Sequence, residues 1–139
     1  MATERPASSL QPEGLTPEEW RVARRAGANV LFVAPDGLAQ RIVEGMWREL
    51  SRPIEVWRPG SGLVLPPIER VGTLILLGVG AMAPDDQRRL CYWLEVTAGR
   101  TRVVSISTEP LFLQLELGTF CDTLYYRLNM LCFEMTEGD

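Results

Sequence analysis

Short strand-like stretches, two of them continuously apolar, alternate along this chain with stretches of helical periodicity. A continuous apolar run is typical of a strand that is buried on both faces of a parallel sheet. Strands are predicted over residues 29–34, 54–57, 73–77, 102–107 and 130–134. Helices are predicted over residues 38–50, 84–95, 110–117 and 120–129, after a first helix that begins at Thr16. This alternation predicts an α/β domain with a mainly parallel sheet.

Composition argues against several classes of protein. A net charge of −4 and a pI near 4.9 argue against direct binding to duplex DNA. The longest apolar run, residues 74–82, is too short for a membrane span. Three widely spaced cysteines, Cys91, Cys121 and Cys132, are typical of reduced thiols, so we expect a cytoplasmic protein. Because the chain has no histidine and no Cys-x-x-Cys pair, no metal site is expected.

The amino-terminal segment differs in composition from the rest. Residues 1–15 are rich in proline, serine, alanine and glutamine, so we expect a flexible tail followed by one domain over residues 16–139. Thr16 is predicted as the N-cap of the first helix, with Pro17 at its first position. Residues 59–67 hold three prolines and two glycines and are predicted as a loop.

The last predicted helix carries the most specific motif of the chain. Residues 120–129 read F-C-D-T-L-Y-Y-R-L-N. This segment resembles the F-R-x-D-L-Y-Y-R-L-N signature of the AAA+ ATPase domain of sigma-54-dependent transcription activators, with seven matches in ten positions. The resemblance extends over about residues 20–133. It implies a three-layer P-loop NTPase-like fold whose five parallel strands, numbered along the chain, lie in the order 5-1-4-3-2. A simpler doubly wound order, 2-1-3-4-5, is the alternative.

The resemblance places the Walker A motif, which binds phosphates in this family, over residues 34–40. Gly37 matches a family glycine, whereas Ala39 stands at another glycine position and Gln40 stands where the family has lysine, just before Arg41. A P-loop needs that lysine on the β- and γ-phosphates, and all 14 basic residues of this chain are arginine. The nucleotide site is therefore expected to be degenerate.

The other catalytic motifs of the family are altered as well. Residues 72–80 match the Walker B strand, but Leu77 and Gly78 replace its acidic pair, and Thr108 replaces the sensor asparagine. The loop that contacts sigma-54 has no counterpart between residues 57 and 72. A C-terminal helical lid is not expected either, because the sequence ends just past the fifth predicted strand. We therefore expect no enzyme activity, no catalytic residues and no cofactor.

The most favoured function is a non-catalytic interaction or regulatory domain in transcription control, without direct DNA or membrane contact. The resemblance implies that Arg127 lies on a surface for protein contact, where the partner is another copy or an active AAA+ subunit. We expect Arg127 to be partly exposed or held by an acid such as Asp122, and an ordinary surface ion pair is the simpler interpretation. The alternative functions are a weak nucleotide or anion sensor that does not hydrolyse ATP and, less favoured, an enzyme with unrelated chemistry.

Overall fold

The computed structural model describes residues 15–67, 69, 72–97 and 100–135. Within this part of the chain, helices and strands alternate as the sequence predicts. The strands are β1 Val30–Val33, β2 Ile54–Trp57, β3 Thr73–Leu77, β4 Arg102–Ser107 and β5 Leu131–Glu134. The α-helices are α1 Pro17–Arg25, α2 Asp36–Met46, α3 Pro84–Thr97, α4 Phe112–Leu117 and α5 Asp122–Leu128. Short 3-10 helices follow α2 at Trp47–Glu49 and β3 at Val79–Ala81.

All five strands form one parallel sheet in the order β2-β3-β4-β1-β5. Strand β1 pairs with β4 and β5, and the register places Val30 beside both Val104 and Leu131. This is the predicted order 5-1-4-3-2 read from the other edge, and the doubly wound alternative is wrong. The chain therefore has the α/β fold of P-loop NTPases, and its strand ends meet along one edge where a ligand cleft can form.

Each face of the sheet has its own apolar core. Helices α1 and α2 cover one face, where Phe32 and Ile42 have no measurable exposure. Helices α3, α4 and α5 lie over the other face, where Leu90 and Leu124 are equally buried. Alternate residues of the central strands point into the two cores, so these strands must be apolar on both faces. No helix in the described ranges is long and apolar enough to cross a membrane.

The first helix begins as the sequence predicts. The Thr16 hydroxyl accepts a hydrogen bond from the Glu19 N–H at 3.1 Å, and the Glu19 carboxylate accepts one from the Thr16 N–H at 2.9 Å. This reciprocal capping box supplies partners at an otherwise unsatisfied helix end. The predicted flexible tail lies outside the described residues except for Leu15. That residue is buried in the core beside α1, so the predicted tail extends one residue too far.

Helix α2 differs from the prediction at both ends. It begins at Asp36 instead of residue 38, because only Ala34 and Pro35 separate it from β1. Gly37 is therefore helical and has no positive φ, whereas Gly78 does. The helix ends at Met46 and continues as the 3-10 turn instead of running to residue 50. Elsewhere α3 extends two residues further than predicted and α4 begins two residues later.

Two side-chain amides, one buried and one partly buried, fix the position of α5. The Gln87 side chain, 2% exposed, donates to the Met82 and Thr119 carbonyls and accepts the Cys121 N–H at 2.8 Å. The Asn29 side chain donates to the Arg127 carbonyl at 2.9 Å and accepts the Val103 N–H at 2.8 Å. Because these bonds join segments that are distant in sequence, they tie both ends of α5 to the sheet and to α3.

Candidate functional site

A cleft of about 1100 Å³ opens at the carboxyl ends of β3 and β4, beside α2. This is the edge at which parallel α/β sheets commonly bind ligands. The cleft contains residues from all three altered motifs: Ala39 and Gln40 from the Walker A segment, Leu77 and Gly78 from Walker B, and Thr108 from the sensor. Gly37 and Arg41 belong to α2 and are exposed, but neither lines the cleft. The structure thus brings five of the predicted positions together in one cleft and leaves Gly37 and Arg41 outside it.

The backbone turn before α2 has little to offer a phosphate. A phosphate-binding loop works because several successive N–H groups point at the anion. Here the Ala34 N–H donates to the Ser107 carbonyl at 2.8 Å, Pro35 has no N–H, and the Leu38 N–H donates back to the Pro35 carbonyl at 2.9 Å. The Asp36 carboxylate in the first turn of α2 adds negative charge at the helix start. The turn is therefore a tight strand-to-helix connection instead of a phosphate cradle.

The two positions predicted as Walker B, Leu77 and Gly78, have structural roles. Leu77 is half-buried and packs against the core beneath α2. Gly78 has φ +69°, in the left-handed region, and its N–H donates to the Ile106 carbonyl at 2.9 Å. A Cβ on Gly78 would come within 2.8 Å of the Pro59 ring. An acidic side chain at this position would need the backbone and Pro59 to move, because the left-handed conformation also strains any non-glycine residue.

Charged groups stand at the rim of the cleft. Asp36 and Glu44 line its α2 side, and the Gln40 amide donates to the Glu44 carboxylate at 3.1 Å. Arg48 and Arg58 also line it, and neither forms an ion pair with a described residue. Thr108 is exposed just after β4. The cleft therefore holds mixed rim charges over a partly apolar floor.

Sequence reasoning did not find the part of the cleft that β2 supplies. Val56 and Arg58 come from this edge strand and the loop after it, and Trp47 comes from the end of α2. Val56 is 42% exposed and Trp47 is 38% exposed, so both add apolar surface to an open site. The i, i+4 spacing of Val43 and Trp47 is typical of an apolar helix face, but such a pattern does not distinguish a face that lines a cleft from one buried in the core.

The described ranges contain no candidate metal site. No group of three or more cysteine, histidine, aspartate or glutamate residues lies within them close enough to hold a metal ion. The three cysteines are free. Partial burial and, to a smaller extent, electrostatic repulsion from the neighbouring Cys121 raise the pKa of Cys91. Partial burial and repulsion from Glu134 raise the pKa of Cys132. A raised thiol pKa disfavours the nucleophilic thiolate.

Arg127 lies outside the cleft, in a shallow depression between α3 and α5. Its guanidinium is partly exposed, as predicted, and donates to the Glu95 carboxylate at 3.1 Å. The prediction of Asp122 as the acidic partner of Arg127 is wrong, because Glu95 on α3 forms the ion pair instead. Tyr126 and Met130 beside it are 70% and 60% exposed. Arg127 thus joins two helices and also borders an exposed apolar surface.

The comparisons with known proteins find similar structures but no similar sequences. No protein-family model and no curated protein sequence match it. Crystal structures of NtrX from Brucella abortus do match. The structure in complex with ADP has a TM-score of 0.67 and 16% identity, and covers 93% of this chain and 38% of NtrX. The structure in complex with ATP has a TM-score of 0.64 and 17% identity, and covers 84% and 35%.

A further NtrX structure has a TM-score of 0.60, with 15% identity and the same coverage as the ADP complex. At this level of identity, the match establishes the fold alone. The chain has a P-loop NTPase or AAA+-like α/β fold, and it spans less than two fifths of the length of the NtrX chains that it matches.

Proposed function

We propose that this chain is a non-catalytic AAA+-like domain, related to sigma-54-dependent activators, which acts by protein–protein contact. The observation that carries the proposal is the composition of the cleft. The positions that would hold phosphate, metal and attacking water are Ala39, Gln40, Leu77, Gly78 and Thr108, and none of them carries a charge. Each catalytic function therefore lacks its side chain at the place where the fold would use it.

The energetic consequence of these replacements is large. At about 4 Å and an effective dielectric near 20, a lysine-to-phosphate contact contributes roughly 4 kcal/mol before desolvation. Gln40 offers only a neutral dipole, and its amide is already bonded to Glu44. In P-loop NTPases the Walker B aspartate holds Mg²⁺, and the aliphatic Leu77 cannot. Because Gly78 is left-handed and a Cβ added there would come within 2.8 Å of the Pro59 ring, the backbone here also differs from one that could carry a glutamate.

The proposed contact surface is the depression around Arg127. An arginine beside exposed aromatic and sulfur-containing side chains is typical of protein interfaces, in which tyrosine, methionine and arginine are enriched. Here Arg127 lies with Tyr126 and Met130, and Tyr92 is 67% exposed on the neighbouring helix α3. We propose that this surface binds a second copy of the chain or a subunit of an active AAA+ protein.

A weak sensor of nucleotide or anion is the second candidate function. Arg48 and Arg58 favour it, because both line the cleft and neither is neutralised by a carboxylate in the described residues. Asp36 and Glu44 oppose it, since they line the same cleft with negative charge. The balance favours at most weak binding without hydrolysis.

Isothermal titration with ATP and Mg²⁺ tests the absence of nucleotide chemistry. We expect no dissociation constant tighter than about 100 μM, which corresponds to roughly −5.5 kcal/mol, and no phosphate release above buffer. A low-micromolar dissociation constant, or measurable hydrolysis, would contradict the proposal. If weak heat is seen, Arg58→Ala should remove it under the sensor hypothesis, whereas the exposed control Arg41→Ala should not.

Association is tested with Arg127→Ala. In this variant, self-association measured by light scattering at high concentration should decrease. Less of an active AAA+ protein should also be retained on the immobilised domain. The thermal midpoint should stay within a few degrees, because an ion pair exposed to this extent contributes little stability. Arg89→Ala is the matched control, since it removes an exposed guanidinium paired with Asp86 on α3. A strictly monomeric wild type that retains no AAA+ protein would refute the proposed contact.

A further inference from the structure

A second pocket, about 620 Å³ in volume, lies at the amino ends of β3 and β4, the opposite end of the sheet from the cleft. Four arginines and one acid line it: Arg24, Arg25, Arg100, Arg102 and Glu49. Four positive charges less one negative charge leave +3, whereas the whole chain carries −4. This local excess of positive charge is therefore opposite in sign to the protein as a whole.

Arg102 carries a half-buried charge that forms no ion pair with a described carboxylate. Its guanidinium donates to the carbonyls of Ala28 at 2.8 Å, Arg24 at 3.1 Å and Ala23 at 2.5 Å. These acceptors are neutral, and burial lowers the pKa of Arg102 because the charged form is poorly solvated. A buried charge is costly unless a partner of opposite charge accompanies it.

The other three arginines are only partly compensated. Arg24 is paired with Glu49 at 2.5 Å, but its Nε is buried and has no acceptor among the described residues. Arg100 donates to the Thr97 and Val96 carbonyls at the end of α3. Arg25 is exposed and forms no ion pair with the described part of the chain.

The simplest explanation of this arginine cluster is that it neutralises the carboxyl ends of α1 and α3, as cations at helix ends commonly do. The negative charge available at these helix ends is smaller than the positive charge of the arginines. Each helix end contributes about −0.5 charge, so two ends and the Glu49 carboxylate supply roughly −2 against four guanidinium groups. About two positive charges stay uncompensated at a concave surface.

We infer that this pocket binds a small oxyanion with two negative charges, namely inorganic phosphate or the phosphate group of a monoester. Arginine suits this ligand because its planar guanidinium donates paired hydrogen bonds to phosphate oxygens. The inference goes beyond the proposed function, since it uses no residue of the cleft or of the Arg127 surface. A bound dianion would also stabilise the junction of α1, the α2–β2 connection and β4.

Thermal unfolding at constant ionic strength tests the site, with chloride replaced stepwise by inorganic phosphate or sulfate. At an anion concentration about ten times the dissociation constant, the wild-type Tm should rise by roughly 5 °C. The double variant Arg25→Ala/Arg100→Ala should lose most of that rise. The matched control Arg88→Ala/Arg89→Ala removes the same charge from the outer face of α3 and should keep it. If the double variant does not fold, Arg25→Glu alone, at an exposed position, should still reduce the rise.

Amide chemical shifts on phosphate titration locate the anion. Shifts at Gly27, Gly72 and Arg102 would support the pocket, whereas shifts confined to Asp36 and Gln40 would place the anion in the cleft and overturn the inference. An equal Tm rise in all variants would overturn it too, because sulfate and phosphate stabilise proteins generally through exclusion from their surface. Phenyl phosphate in the same assay separates the two sources: an equal rise supports a monoester, and a lost rise supports the free anion.

Discussion

The last helix and the cleft show opposite relations between the family motif and the fold. In the segment 120–129, the residues that match the motif include Phe120, Leu124 and Leu128, which are 3%, 0% and 0% exposed. In the cleft, the motif positions that differ include Gln40 and Thr108, which face solvent. Packing therefore fixes the buried positions of the last helix, whereas only the chemistry of a ligand would fix exposed cleft positions such as Gln40 and Thr108. A chain can hold the fold while its site loses that chemistry, because the core does not depend on these side chains.

Leu124→Ala should have the largest effect, because it removes a fully buried side chain from the core beneath α5. We expect a loss of about 3 kcal/mol in the free energy of unfolding, within the range for such core truncations, measured by urea denaturation. Leu117→Ala is the control, since Leu117 is 77% exposed on α4, and it should change stability by about 0.5 kcal/mol or less. Equal effects of the two substitutions would break the packing argument.

Gln87→Leu should have the next largest effect, a loss of about 2 kcal/mol in the free energy of unfolding. The substitution leaves the Cys121 N–H and two carbonyls without their partner in a buried site, and an unsatisfied buried group costs roughly 1–3 kcal/mol. Gln114→Leu is the matched control, because the Gln114 Oε1 is buried and has no hydrogen-bond partner among the described residues. A loss in the control as large as that in Gln87→Leu would show that the amide bonds do not hold α5.

Gly78→Glu tests whether the cleft can regain an acidic Walker B residue. We expect a loss of about 1–2 kcal/mol, because a non-glycine residue at φ +69° is strained and its Cβ would approach Pro59. Gly37→Ala is the comparison, since Gly37 is helical with nothing within 4 Å of a new Cβ. That change should stabilise by about 0.5–1 kcal/mol. Thermal unfolding of both variants measures this difference in stability. ATP titration of Gly78→Glu is the second measurement, and nucleotide binding by that variant would mean that the backbone still fits the catalytic residue.

Strand pattern and motif together predicted much of this architecture. The bounds of β2, β3 and β4 were predicted to the residue, and the resemblance gave the order of all five strands. Hydrophobic pattern carries this information because the central strands β1, β3 and β4 must bury both faces. The start of α2 was missed because Asp36 and Gly37 resemble a turn in sequence, and only the short connection from β1 makes them helical.

The sequence by itself determined the fold class, the strand order and the absence of lysine from the expected phosphate site. Tertiary structure alone decided which carboxylate holds Arg127, the left-handed backbone of Gly78 and the clustering of four arginines at one end of the sheet. The physical reason is range. Periodicity and capping act between neighbours along the chain, whereas an ion pair or a pocket depends on segments that the sheet brings together from far apart in sequence.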